Sequence, residues 1–187
     1  MADPRPVAPA LLVVAAFSRH EGAFVAAREA MERSFGPVAL ASEAFSFDQT
    51  AYYEPTMGAD LRKQLWAFRD LIDPDRLAEL KHRTNALEAS IAAGGTYAEG
   101  RPINLDPGYL VLGKFLLATT KDQAHRVYLR DGIYAEVTLH YHAGAFRPWE
   151  WTYADYRLPG VLAFLEEART LYRGRLASAR GVADPLC

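Results

Sequence analysis

The chain has 187 residues, of which 50% are hydrophobic, 24% charged and 12% aromatic, which suits one soluble domain with a sizeable core and excludes a disordered chain. A formal net charge of −2, from 21 basic and 23 acidic residues, excludes a globally basic nucleic-acid binder but leaves room for a local basic patch. The single cysteine, Cys187, excludes a disulfide scaffold and a cysteine zinc site.

The most apolar stretch, 10–17 (ALLVVAAF), is too short to span a bilayer and reads as a fully buried first strand. The preceding MADPRPVAP sets Asp3 against a single Arg5 among three prolines, a poor match to a signal peptide, so a cytoplasmic chain is expected. Ser18-Arg19-His20-Glu21 has the capping-box pattern of a helix start. Phe24, Arg28, Met31 and Phe35 follow at helical spacing, and Gly36 can take the left-handed stop. Residues 38–47 read as a second strand. Leu61, Leu65 and Phe68 then fit one side of a short helix.

Asp73-Pro74 starts a longer helix over 74–92, with an acceptor at the cap and proline where no amide is needed. Leu77, Leu80, Leu87 and Ile91 form its apolar stripe, and Lys81, Asn85 and Glu88 form a second stripe beside it. Such flanking polar residues are either a solvated edge or half-buried groups in need of partners. After Gly94-Gly95, Ile103 and Leu105 alternate with Asn104 and Asp106 on a strand that Pro107-Gly108 is expected to break. Residues 115–120 form another strand.

Residues 126–129 and 133–141 make the clearest hairpin. A three-residue Arg130-Asp131-Gly132 loop pairs Leu129 with Ile133 and puts Val127, Leu129, Ile133, Ala135, Val137 and Leu139 on one apolar face. Arg126 then lies across from Glu136 on the polar face, with Tyr128, Tyr134, Thr138 and His140. A last strand over 149–153 and a closing helix over 158–173, with Val161, Leu165, Ala168 and Tyr172 inward, complete the series. The expected fold is α+β: a single domain spanning 1–187 with a mainly antiparallel sheet and helices packed on one face. Its core covers about 10–175, and 1–9 and 176–187 are flexible tails.

Chemistry is sparse in motifs. Gly108 through Phe115 (GYLVLGKF) is a near miss to a phosphate loop, since Phe115 replaces the hydroxyl residue and the interior is bulky and apolar. His140 and His142 share a strand face but lack a third metal ligand, so no metal site is assigned. Density is the stronger signal. Lys81, Asn85, Glu88, Arg101, Asn104, Asp106, Lys121, His125, Arg126, Glu136, Thr138, Asp155 and Arg157 crowd one stretch threaded with tyrosines. Cations near carboxylates and stacking aromatics suit a phosphate-bearing or planar anionic ligand, or else a structural network across the sheet.

Several strings together resemble a known family. They are Lys81-x-x-Thr84-Asn85-x-x-Glu88, Asn104-Leu105-Asp106-Pro107-Gly108-Tyr109, Thr119-Thr120-Lys121-Asp122-x-x-His125-Arg126, Gly132-Ile133-Tyr134-Ala135-Glu136-Val137-Thr138-Leu139 and Trp151-Thr152-Tyr153-x-Asp155-Tyr156-Arg157. With Thr50-x-Tyr52-Tyr53 and Met57-Gly58, this order resembles the bacterial and archaeal domain of unknown function 4416 over about residues 10–157. Some members carry a GTP-binding label, so the resemblance implies a nucleotide, although no catalytic residue carries over. Thr56 departs from the acidic residue of the family pattern.

The functional expectation is a protein that binds, and in one version processes, a phosphate-bearing small molecule of nucleotide type. Lys121, Arg126, Arg101 and Arg157 would hold phosphate oxygens, with Lys81, Asn85, Asn104 and His125 in the same site. Tyr109, Tyr128 and Tyr134 would stack on or position the ligand, and Glu136 or Asp106 would act as base or hold a magnesium ion accompanying the nucleotide. Lys121→Ala and Arg126→Ala are both expected to abolish binding in a folded protein. The alternative is a non-enzymatic module that binds RNA or protein through the same sheet face.

Overall fold

The computed structural model describes residues 3–179. In chain order the elements are β1 (Ala10–Ser18), α1 (Glu21–Phe35), β2 (Val38–Ala41), β3 (Phe45–Ser46), α2 (Glu54–Met57), β4 (Arg62–Ile72), α3 (Leu77–Ala93), β5 (Asn104–Val111), β6 (Lys114–Thr119), β7 (Val127–Arg130), β8 (Ile133–His142), β9 (Ala145–Pro148) and α4 (Pro159–Ala179). Short 3-10 turns, Pro74–Arg76 and Ala154–Arg157, lead into α3 and toward α4. The nine strands form one sheet of order β2-β4-β1-β5-β6-β8-β7, with β3 beside β4 and β9 beside β8, and every pairing is antiparallel.

All nine residues of β1 are buried. Because a strand alternates its side chains between two faces, both faces of β1 must be covered. Leu11, Val13 and Ala15 pack against Val161, Leu165 and Ala168 of α4, whereas Leu12, Val14 and Ala16 pack against Phe24, Ala27 and Met31 of α1 and Leu80 of α3. The domain is α+β and antiparallel as expected, but its helices cover both faces rather than one.

Several local expectations change for related reasons. The segment with Leu61, Leu65 and Phe68 is not a helix but β4, paired along its length with β1. Leu65 and Ala67 face α4 while Trp66 and Phe68 face α1, so neither face shows the alternation that marks a strand. The expected strand over 38–47 is divided into β2 and β3 around Ser42, whose hydroxyl accepts from Leu65 N at 3.0 Å. No capping box opens α1: its N-cap is His20, and the buried Ser18 hydroxyl accepts from His20 N at 2.9 Å and donates to Pro102 O at 2.6 Å. α4 continues past Arg173 to Ala179, into the stretch expected as tail; Cys187 lies outside the described residues.

The hairpin joins its strands by a two-residue turn, Asp131 and Gly132 at φ 52° and 75°, which pairs Arg130 with Ile133. A bulge at Leu129 then restores the expected partners Tyr128–Tyr134 and Val127–Ala135. β7 is an edge strand, so Val127 and Leu129 are exposed rather than buried. A second bulge, opposite Phe115 and Leu116, sends Leu139 to the α4 side, away from Ile133, Ala135 and Val137 on the α3 side. The last strand is β9, and residues 149–153 form the turn after it.

Pro107-Gly108 does not break its strand: β5 runs through it. Proline is tolerated because pairing with β6 begins only at Gly108, leaving Pro107 without a β6 partner. Glycine is required next to it, since a Cβ at Gly108 would lie 2.1 Å from the Leu116 carbonyl oxygen. The near-miss phosphate loop is therefore two strands and a tight turn, with no helix after it.

Candidate functional site

The site arises where β5 and β6 part. Their ladder covers only Gly108–Val111 against Lys114–Leu117, so 104–107 has β1 on one side and no strand on the other. Side chains of α3 take over the missing hydrogen bonds. Leu105 N donates to Glu88 Oε1 at 2.7 Å, and Lys81 Nζ donates to Leu105 O at 3.0 Å. Lys81 also reaches Asp106 Oδ1 at 2.9 Å. The polar stripe of α3 is thus a substitute strand edge rather than a solvated face, with Lys81 and Glu88 both buried.

Beside this gap opens a cavity of about 620 Å3. Its lining mixes polar and charged side chains, Lys63, Lys81, Asn85, Glu88, Arg101, Asn104, Asp106, Arg126, Glu136 and Asp155 with 117–121, and aromatic ones, Phe17, Phe47, Tyr52, Tyr53, Tyr153 and Tyr156. The two kinds touch: Lys63 Nζ lies 5.1 Å over the Phe47 ring and 4.3 Å over that of Tyr156. Phe17 packs on Phe47 at 4.7 Å and on Tyr53 at 4.8 Å between centroids, which fixes these rings.

The four carboxylates of the cavity each have a cation. Lys63 Nζ lies 2.5 Å from Asp155 Oδ2, Lys81 Nζ 2.9 Å from Asp106 Oδ1, Arg101 Nη2 2.9 Å from Glu88 Oε2, and Arg126 Nε 3.0 Å from Glu136 Oε2. Lys121 is the cavity cation with no carboxylate partner among the described residues; its ammonium lies 4.4 Å over the Tyr52 ring. Burial pushes the Asp106 carboxyl upward, but the Lys81 charge and hydrogen bond, with Lys63 and Asn104, outweigh it and hold it below its ordinary value. Burial instead wins at Glu88 and raises it against Lys81 and Arg101. Burial first, then Asp155, Asp106 and Glu136, drive the Tyr156 phenol well above its usual range, so it stays a neutral hydroxyl.

Of the residues expected from sequence, Lys81, Asn85, Arg101, Asn104, Asp106, Lys121, Arg126 and Glu136 line the cavity. His125 stands behind it, with Nε2 3.1 Å from Glu136 Oε2 and its ring stacked on Trp151. The other four lie elsewhere. Tyr109 packs half-buried on the α3 side, and Tyr128 and Tyr134 meet edge to face at 5.3 Å on the edge hairpin. Arg157 spends its guanidinium on the carbonyls of Trp149, Glu150 and Thr152, so it braces a turn.

The catalytic expectation for Asp106 and Glu136 meets fully engaged groups. Asp106 gives its second oxygen to Asn104 Nδ2 at 2.8 Å, and Asn104 in turn accepts from Arg101. Glu136 gives Oε2 to Arg126 and His125, and Oε1 to Thr138 at 3.3 Å. Each of these oxygens thus already accepts at least one hydrogen bond from a protein group. Among the described residues no group of three or more His, Cys, Asp or Glu is placed to hold a metal.

Lys63, Phe17, Phe47 and Tyr156 are not among the site residues expected from sequence. Lys63 lies in the segment whose spacing predicts a helix, and its signal is a lysine two residues before Leu65, on the same strand face as a buried core.

A protein-family model described as Domain of unknown function (DUF4416) matches residues 8–172. No curated protein and no solved structure matches the chain. With the match spanning the whole sheet and nearly all the helical cover, the chain belongs to the Domain of unknown function (DUF4416) family.

Proposed function

We propose that the cavity binds a small phosphate-bearing molecule of nucleotide type. The observation that carries this reading is a single cavity of about 620 Å3 lined both by aromatic rings and by cations, of which Lys121 alone is not matched by one of the cavity's carboxylates. That volume falls within the roughly 300–1,000 Å3 of small-molecule sites. A planar ring suits the Phe17, Phe47 and Tyr53 side, and a phosphate suits Lys121, whose positive charge no carboxylate among the described residues neutralises. Arg101, about a third exposed, adds a second cation within the cavity. Arg126 is a positioning residue, because its guanidinium is already divided among Glu136, the Lys121 carbonyl and the Tyr153 hydroxyl. A sheet-surface reader of RNA or protein would spread these residues over an open face, whereas here they turn inward.

Thermal unfolding of the purified protein tests the reading, with GTP, ATP, nucleoside monophosphates, inorganic phosphate and short RNA, each with and without magnesium. Ligand at about a hundred times its dissociation constant adds roughly 2.7 kcal/mol. For a chain of this size that is a rise on the order of 5–10 °C. A nucleotide is expected to give that rise, and Lys121→Ala to remove it. A shift with RNA alone, fading steeply with salt, would replace the reading with the RNA module. A flat panel would overturn it.

A further inference from the structure

The 3-10 turn Ala154–Arg157 is held by backbone hydrogen bonds from Tyr156 N to Tyr153 O and from Leu158 N to Asp155 O. It delivers two adjacent side chains to the cavity, Asp155 and Tyr156, both nearly inaccessible at 4% and 2% exposure. One cation fixes the pair: Lys63 Nζ holds Asp155 Oδ2 at 2.5 Å and lies 4.3 Å over the Tyr156 ring. What remains is unequal. The Tyr156 hydroxyl has no hydrogen-bond partner, and Asp155 spends only Oδ2 on Lys63, leaving Oδ1 without a partner among the described residues.

Buried polar groups in folded proteins are nearly always paired, so the one buried unpaired hydroxyl among the described residues, Tyr156, next to a carboxylate with an uncommitted oxygen, marks this turn as a place a ligand would complete. Their chemistry differs. A carboxylate oxygen only accepts, whereas a neutral phenol can donate. Burial keeps Tyr156 neutral, as described above. The complement of this turn is a ligand edge that carries an N–H donor next to an acceptor, either a carbonyl oxygen or a ring nitrogen. The pairing edge of a heterocyclic base has that arrangement, and so does any cyclic amide.

We propose that the Ala154–Arg157 turn is the ring-edge subsite of the cavity: Asp155 Oδ1 accepts an N–H of the ligand ring, and the Tyr156 hydroxyl donates to the acceptor beside it. This rests on the nucleotide reading above and deepens it by assigning the base end, with Lys121 at the phosphate end. A site built on such contacts rejects ligands that lack them, because Asp155 and Tyr156 are then left unpaired again.

Calorimetric titration of guanosine, adenosine, cytidine and uridine 5′-monophosphates tests it. The tightest binder is then compared with its analogue N-methylated on the pairing edge, using the wild-type protein, Tyr156→Phe and Asp155→Asn. Methylation and Tyr156→Phe are each expected to weaken binding at least tenfold, while Lys121→Ala weakens all four monophosphates alike. Asp155→Asn loosens Lys63; should it fail to fold, the methylated analogue on wild type reads the same contact from the ligand side. If a monophosphate binds wild type and neither methylation nor Tyr156→Phe changes its affinity, the edge assignment is wrong and the nucleotide reading stands. If none of the four binds, the edge assignment falls, and the nucleotide reading falls with it only when GTP, ATP and inorganic phosphate give no thermal shift either.

Discussion

Arg126 is almost wholly enclosed, with 2% of its side chain exposed, and Glu136 beside it is equally so. Removing one member of such a pair strands the other charge in a poorly solvated place. Arg126→Ala should therefore lose roughly 3–5 kcal/mol of stability in urea unfolding. That differs from the expectation drawn from sequence, in which Arg126→Ala stays folded and only binding suffers. Lys121→Ala, at an exposed position, should stay within about 0.5 kcal/mol of wild type. Equal losses for the two would mean that Arg126 and Glu136 are not the buried pair the geometry shows. Asp106 gives a second handle at the same scale. Its folded pKa is depressed below the unfolded value of about 3.9. The folded state then binds fewer protons between the two values, so stability rises with pH through that window. The contribution is complete above the unfolded pKa and is lost as pH falls through the folded one. Asp106→Asn should flatten the acid limb of the stability–pH curve below about pH 5 and leave the shape above pH 6 unchanged. An acid limb identical to wild type would deny Asp106 that role.

At the scale of elements, Gly108 lets β5 and β6 approach and then diverge. A methyl group there would sit 2.1 Å from the Leu116 carbonyl oxygen, so Gly108→Ala must push backbone apart. We expect a loss on the order of 3 kcal/mol by urea unfolding, near the upper end for overpacking. A neutral result would show that the two strands can separate freely at this point. The same stretch shows what a sequence can carry. Helices α1, α3 and α4 were legible because each keeps an apolar stripe with a polar back: Phe24, Met31 and Phe35, or Val161, Leu165, Ala168 and Tyr172. Strand β4 was not, because Leu65-Trp66-Ala67-Phe68 is buried on both sides and carries no period of two. Bulges were equally silent: the one at Leu129 left the hairpin's register legible, while the one opposite Phe115 moved Leu139 to the other face. The second depends on pairing with a strand outside the hairpin, which local spacing does not encode.

Across the whole molecule the candidate site was half legible for one physical reason. Residue types announce themselves, so Lys81, Arg101, Asp106, Lys121 and Glu136 stood out, but convergence depends on where strands part. The parting of β5 from β6 turned a presumed open sheet face into a cavity, drew in Lys63 and Tyr156, and left Tyr128, Tyr134 and Arg157 outside. Helices cover both sides of β1, and that two-sided cover is itself open to test. Leu11 and Leu12 are neighbours in sequence, both fully buried, and they enter different cores: Leu11 the one beneath α4, Leu12 the one beneath α1 and α3. In a sheet with helices on a single face, one of the two would point to solvent and its truncation would change stability by no more than about 0.5 kcal/mol. With both faces covered, Leu11→Ala and Leu12→Ala should each lose about 2–5 kcal/mol in urea unfolding, the usual range for a cavity left in a close-packed core. A small loss at Leu11 with a large one at Leu12 would mean that α4 does not seal its side of the sheet. The turn Ala154–Arg157 leads directly into that helix, so the floor of the cavity would then be lost with it.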